Sequence, residues 1–213
     1  MTTTTHRRRS VAIFDLGGVL LEWNPRHLFR KLFVGDDAAM ERFLATVCTV
    51  EWNEEQDAGR SFAEATEALM PEHADKRALI DAWSVRFGEM VPGAIEGTVA
   101  VLAELKDRGV PIYAISNWSA ETFAPLRDRF EFLSWFRDIV ISGEERVIKP
   151  DPRIFRALLT RNGLAPEAAV FIDDDPRNAA AASALGLHGI HFRDPLQLRQ
   201  DLAAVGMLRG PPT

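Results

Sequence analysis

The stretch Val11-Ala12-Ile13-Phe14-Asp15-Leu16-Gly17-Gly18-Val19-Leu20 decides the reading of this chain. Four apolar residues in a row predict a buried strand. The strand delivers a carboxylate, Asp15, just where Gly17-Gly18 must turn the backbone. Two glycines in a turn let main-chain groups approach a ligand closely. Open parallel α/β sheets place their ligands at the carboxyl ends of strands, where Asp15 falls. An Asp also opens turns for purely local reasons, so the weight rests on what surrounds the stretch.

Downstream the period changes. From Pro25 to Met90 the apolar residues recur at helical spacing and no strand is predicted. Leu28, Phe29, Leu32 and Phe33 mark one helix, and Met40, Phe43, Leu44 and Val47 a second. Ser61 followed by Glu64 is a capping box that opens a third. Leu79, Ile80, Trp83 and Phe87 form one stripe of a fourth. Past Val91-Pro92-Gly93 strands alternate with helices. Strands are expected at Pro111–Ile115, Ile139–Ile141, Val170–Ile172 and Gly189–Phe192, with helices between and after them. This alternation implies an α/β fold with a doubly wound parallel sheet. The expected organisation is a core of residues 10–21 and 92–206, an inserted helical unit at 22–91, and flexible tails at 1–9 and 207–213.

The chain has 213 residues, 46% of them hydrophobic, enough for one domain with an insert. Its net charge of -6 disfavours nucleic acid as a partner. No apolar run is long enough to span a bilayer. The polar start, Met1 to Arg9, lacks the apolar region of a secretory signal. Cys48 is the only cysteine, so a reducing cytoplasm is the expected setting, with Cys48 packed on a helix.

Right-handed crossovers bring the strand ends to one edge. Asp15, Ser116-Asn117 and Asp173-Asp174 each end a strand, and Lys149 precedes a helix that can reach the same region. Three carboxylates in one pocket repel strongly at low dielectric. Either their pKa values rise or a divalent cation lies among them. Mg²⁺ prefers oxygen ligands, typically a carboxylate or two plus substrate phosphate. Lys149 and Mg²⁺ together would neutralise a phosphate dianion, leaving Asp15 to attack phosphorus in line.

Phe14-Asp15-Leu16-Gly17-Gly18-Val19-Leu20, Ser116-Asn117, Lys149-Pro150 and Phe171-Ile172-Asp173-Asp174-Asp175 resemble the four ordered motifs of the haloacid dehalogenase-like hydrolase superfamily. The resemblance runs from about Val11 to Phe192 and implies a Rossmann-like core with a small helical cap. It implies Asp15 as nucleophile and Mg²⁺ ligand, and Ser116 bonding the phosphoryl group with help from Asn117. It implies Lys149 bridging phosphate and Asp15, and Asp174 as a direct metal ligand. Asp173 would hold a metal-bound water, and the Gly17 carbonyl would complete the shell. The implied partner is a small phosphorylated metabolite.

One position departs from that pattern. Phosphatases of the superfamily usually carry a second Asp two residues after the nucleophile, as general acid and base. Here it is Gly17. Some members that resemble sugar 1-phosphate phosphatases share the glycine. General acid catalysis contributes about 10²–10⁴-fold, so the expected substrate has an acidic leaving group, such as an anomeric sugar phosphate. Substitute acids are available at Glu22, His27, Glu51 and Asp57, beside Arg60. The polar segment Glu51–Arg60 reads either as a specificity loop, with Trp52 stacking on a sugar and Asn53 bonding a hydroxyl, or as a solvated loop with Trp52 buried. Trp118 is expected at the pocket mouth, Asp175 as a helix N-cap before Pro176, and Asn178 as a brace for the metal loop. Two rivals remain. A 2-haloacid dehalogenase needs no acid at Gly17 but gains nothing from Asp173-Asp174. A catalytically weak phosphometabolite-binding protein needs no nucleophile.

Overall fold

The computed structural model describes residues 9–209. The tails expected at 1–9 and 207–213 lie outside these residues except at their inner edges. There the C-terminal boundary is corrected: Met207 and Leu208 are buried at 3% and 4% exposure, packed into the core. Among the described residues no helix is long and apolar enough to cross a membrane.

Five strands form one parallel sheet: β1 (Val11–Phe14), β2 (Ile112–Ser116), β3 (Asp138–Ile141), β4 (Ala169–Asp173) and β5 (His188–His191). Their order is β3-β2-β1-β4-β5. Side chains alternate across the pleat. Ala12, Phe14, Ile112, Ala114, Val170 and Ile172 therefore face one apolar layer, and Val11, Ile13, Tyr113, Ile115 and Phe171 the other. Helices close both faces. The first layer takes α6 (Glu96–Asp107), α7 (Ala120–Arg127) and α11 (Pro195–Ala204); the second takes α9 (Pro152–Arg161) and α10 (Pro176–Ala184). Burying each large apolar side chain contributes about 1.5–3 kcal/mol, which is why continuous apolar runs become the central strands. The chain winds from β1 to β2 on one side and to β4 on the other. The carboxyl edge of β1 is thus the point where strand order reverses, the usual ligand position of such sheets.

The helical insert rises from this edge as α1 (Arg26–Phe33), α2 (Asp37–Thr46), α3 (Val50–Asp57), α4 (Phe62–His73) and α5 (Arg77–Val85). Its neck is a pair of backbone crossings: Ile95 N–H donates to Leu20 O at 2.8 Å and Glu22 N–H to Gly93 O at 3.0 Å. The capping box of α4 is present, with Ser61 Oγ accepting from Glu64 N–H at 3.2 Å and Glu64 Oε2 accepting from Ser61 N–H at 3.1 Å. Phe29 lies 5.1 Å from Phe43 and 5.7 Å from Trp83 between ring centroids, so the insert has an aromatic centre. That centre is continuous with the sheet's first apolar layer.

The segment expected as a specificity loop is instead largely the helix α3. Thr49 caps it, its Oγ1 accepting from Trp52 N–H at 3.1 Å. The helix shows little amphipathic signal because only Val50 and Trp52 are apolar in Val50–Asp57. Burial of two residues, Trp52 and Gln56, holds it down.

Candidate active site

Asp15 follows β1 and its carboxylate is clamped on both oxygens. Oδ1 accepts from Ser116 Oγ at 2.8 Å and from Leu16 N–H at 2.7 Å. Oδ2 lies 2.9 Å from Lys149 Nζ. Lys149 Nζ also meets Asp173 Oδ2 at 2.6 Å, and both residues are buried. Asp173 is further held by Asp175 N–H at 2.8 Å and Asn178 Nδ2 at 3.1 Å. Asp175 caps α10, its Oδ1 accepting from Arg177 N–H at 2.8 Å. Both expectations for the loop after β4, a capping Asp175 and a bracing Asn178, thus have direct contacts.

Asp174 is the solvent-facing member of the pair. Oxygens of Asp15, Asp173 and Asp174 all lie within 4.8 Å of one another. Gly18 makes room for it. Its φ is +73°, and a Cβ there would collide with the Asp174 carboxylate. Burial pushes the Asp15 carboxyl up to about 7, against the opposing pull of Lys149. Burial likewise raises Asp174, with Asp173 adding to it. Lys149 is pushed down by burial but ends above its ordinary value because two carboxylates hold its proton. One lysine cannot balance three carboxylates. The donor set is all oxygen and in negative excess, which fits a hard divalent cation. Such an ion would draw the Asp15 pKa back down and restore an anionic nucleophile.

Asp15, Ser116 and Asp174 floor a cavity of about 680 Å³ between the core and the insert. Its walls combine apolar Leu44, Cys48, Trp83, Phe87 and Trp118 with polar Asn24, Arg26, Glu41, Asn53, Glu54 and Asp57. Burial pushes the Cys48 thiol above its ordinary range, so it is an inert wall residue. Trp118 lines the cavity as expected, but 4% exposed, its indole N–H donating to Thr122 Oγ1 at 3.1 Å. The cavity walls Trp83 and Phe87 had read only as core, because a helical apolar stripe does not distinguish a packed face from one beside a cavity.

One expected substrate contact is corrected. Trp52 is 7% exposed, lies edge-on to Trp83 at 5.4 Å, donates to Ala65 O at 3.3 Å and does not line the cavity. It is an anchor for α3, not a stacking platform for a sugar. Asn53 does line the cavity, and its Nδ2 donates to Asp57 Oδ2 at 2.9 Å. Asn117 also lines it, with its side chain gripping Lys149. Its Oδ1 accepts from Lys149 N–H at 2.8 Å and its Nδ2 donates to Lys149 O at 3.1 Å. Ser116 lies where expected, but its hydroxyl is bonded to Asp15.

Of the substitute acids, only Asp57 lines the cavity. Glu22 and His27 pair with each other at 2.8 Å on the surface. Glu51 is exposed. Arg60 is bound to Gln56 Oε1 at 2.7 Å and paired with Glu55.

Comparison with known proteins places these observations in a family. Residues 10–186 match the family model of the haloacid dehalogenase-like hydrolases. A sesquiterpene phosphatase of Aspergillus oryzae is 28% identical over 193 residues, 90% of this chain and 93% of that protein. A phosphoglycolate phosphatase of Pseudomonas aeruginosa is 32% identical over 130 residues, 61% of this chain but 43% of that protein. In structure, the chain is similar to a haloacid dehalogenase family enzyme of Bacteroides thetaiotaomicron solved with magnesium and inorganic phosphate. The TM-score is 0.64 at 23% identity, covering 87% of this chain and 94% of that one.

Proposed function

The chain belongs to the haloacid dehalogenase-like hydrolase family, and from that premise we propose that it is a Mg²⁺-dependent phosphomonoester hydrolase working through a phosphorylated Asp15. The observation that carries this reading is the meeting of three carboxylates within 4.8 Å, two of them touched by Lys149. A 2-haloacid dehalogenase has no use for the second and third carboxylates, which would repel its anionic substrate.

Asp15, Asp174 and the Gly17 carbonyl would hold Mg²⁺, with Asp173 acting through a bound water. The ion supplies the positive charge that lets an anionic ester approach an anionic side chain. The clamp of Ser116, Leu16 and Lys149 fixes the orientation of the Asp15 carboxylate before substrate arrives. Lys149 stabilises charge gathering on the phosphoryl oxygens. Ser116 donates to the same group once the ester is in place.

The substrate is a small phosphorylated metabolite. Leu44, Cys48, Trp83, Phe87 and Trp118 along the walls favour an organic part with a large apolar or aromatic face, and Asn24, Arg26 and Asn53 offer partners to its polar groups. Its similarity to a sesquiterpene phosphatase over nine-tenths of the chain supports the same choice.

Phosphate release tests the proposal, measured on chelator-stripped protein with and without Mg²⁺ across aryl, isoprenoid and sugar phosphates. Turnover should need Mg²⁺, favour the apolar esters and vanish in Asp15→Asn. Equal background rates in wild type and Asp15→Asn would leave a binding protein. Chloride release from 2-chloropropionate without metal would leave a dehalogenase.

A further inference from the structure

The phosphatase reading leaves one chemical role without a residue. A leaving alkoxide needs a proton, and the following water must lose one. The usual position is Gly17, which has no side chain. A Cβ built there meets only Trp23 Cβ at 3.8 Å and Trp118 Cζ3 at 3.9 Å, so the position is glycine without being crowded. We infer that Asp57, carried to the cavity by the last residue of α3, is the general acid and base of this enzyme; the inference rests on the phosphatase reading.

The placement of Asp57 is built, not incidental. Asn53 Nδ2 donates to its Oδ2 at 2.9 Å, one turn back on α3. Ser142 Oγ donates to its main-chain carbonyl at 2.6 Å, tying the end of α3 to α8 (Ser142–Glu145) beside β3. Gly59 lets the chain turn sharply behind it, with φ +99° and a Cβ that would press on Arg146 Cγ and Gly143 O. The carboxyl shares a cavity with Asp15, Ser116 and Asp174. Burial pushes Asp57 up to about 7, with the charges of Glu54 and Asp15 adding to it and a Ser119 amide opposing. A group titrating there holds a proton to give and can take one back. Glu54 and Glu41 also reach the cavity, but Glu54 is exposed and Glu41 is paired with Arg26 at 2.6 Å.

The chemistry balances. An Asp15 oxygen forms a bond to phosphorus as the bond from phosphorus to the ester oxygen breaks. The electron pair stays on that oxygen, which takes the Asp57 proton and departs as an alcohol. Water then bonds to phosphorus and gives a proton to the Asp57 carboxylate. The bond from phosphorus to Asp15 breaks, releasing phosphate and restoring both side chains. An acid inside the cap removes the need for an acidic leaving group that Gly17 alone implies.

The test is the dependence of kcat/KM, which reports transfer to Asp15, on leaving-group pKa, from p-nitrophenyl phosphate to alkyl phosphates, with Mg²⁺. Wild type should show a shallow slope. Asp57→Asn should lose about 10²–10⁴-fold in kcat/KM on alkyl phosphates and far less on p-nitrophenyl phosphate, whose kcat and KM should fall together as water attack becomes rate-limiting. Asp57→Asn should also release a burst of one p-nitrophenol per site, because the phosphorylated Asp15 forms but water attacks it slowly. Asp57→Glu, which keeps the carboxyl, should retain a shallow slope, and Gly17→Asp should recover part of the loss in Asp57→Asn. A uniform loss across all leaving groups, without a burst, overturns the inference and leaves Asp57 a structural residue. No Mg²⁺-dependent turnover by wild type overturns the phosphatase reading itself, and this inference with it.

Discussion

The side-chain amide of Asn117 holds the backbone of Lys149 from both sides, accepting from its N–H at 2.8 Å and donating to its carbonyl at 3.1 Å. The two residues are far apart in the chain but adjacent at the carboxyl edge of the sheet. The grip fixes the point from which the Lys149 side chain sets out. Asn117→Ala should therefore lower kcat more than it raises KM, by up to about 10²-fold, the cost of misplacing a reacting group by about 1 Å. Steady-state kinetics on one aryl phosphate reads the split.

Asp173 and Asp174 are neighbours with opposite tasks. Asp173 is fully buried against Lys149, and removing one partner of a buried pair costs about 3–5 kcal/mol. Asp174 faces the cavity with no such pairing. Asp173→Ala should lower the urea midpoint strongly. Asp174→Ala should leave that midpoint nearly unchanged while shifting the Mg²⁺ activation curve to higher concentration.

Asp57 makes stability depend on pH with a definite sign. Its folded pKa, about 7, lies above the ordinary value of 3.8. The folded state then binds more protons between those values, so stability falls as pH rises from about 4 to about 7 and is level above. Asp57→Asn removes this contribution. Urea titrations without metal should show the variant gaining on wild type as pH rises through that window, and no further gain above it.

Gly17 and Gly18 should respond differently to the same methyl group. Gly18 has φ +73° and the Asp174 carboxylate where a Cβ would lie, whereas Gly17 has only ordinary contacts at 3.8 and 3.9 Å. Gly18→Ala should cost about 1–3 kcal/mol through backbone strain and weaken Mg²⁺ activation. Gly17→Ala should stay within about 0.5 kcal/mol of wild type. Thermal melts of the pair give the comparison.

The strand ends were legible because each combines a short apolar run with a polar residue, a local pattern. Asp15, Ser116, Lys149, Asp173 and Asp174 meet as the alternation of strands and helices implies. The α4 capping box was equally local. What escaped depends on partners distant in sequence. The side chain of Asn117 turns to Lys149 because the chain returns there after a helix and a strand. Trp52 is buried by Phe62 and Trp83, so α3 forms under a sequence with almost no helical stripe. The direction a tryptophan faces is a property of the packed cap, not of its neighbours in the chain.

Ser142 Oγ donates to Asp57 O at 2.6 Å and accepts from Trp118 N–H at 2.9 Å, so one hydroxyl rivets lid to platform. The corner that carries Asp57 stays seated while the Ser142–Asp57 bond holds, and the Trp118 amide fixes the hydroxyl that makes it. At the cavity's rim the Arg26–Glu41 pair joins α1 to α2 within the insert, and being solvent-exposed it is worth about 0–1 kcal/mol. In hydrogen exchange the Trp118 amide, bonded within the platform, should stay protected while the rim breathes.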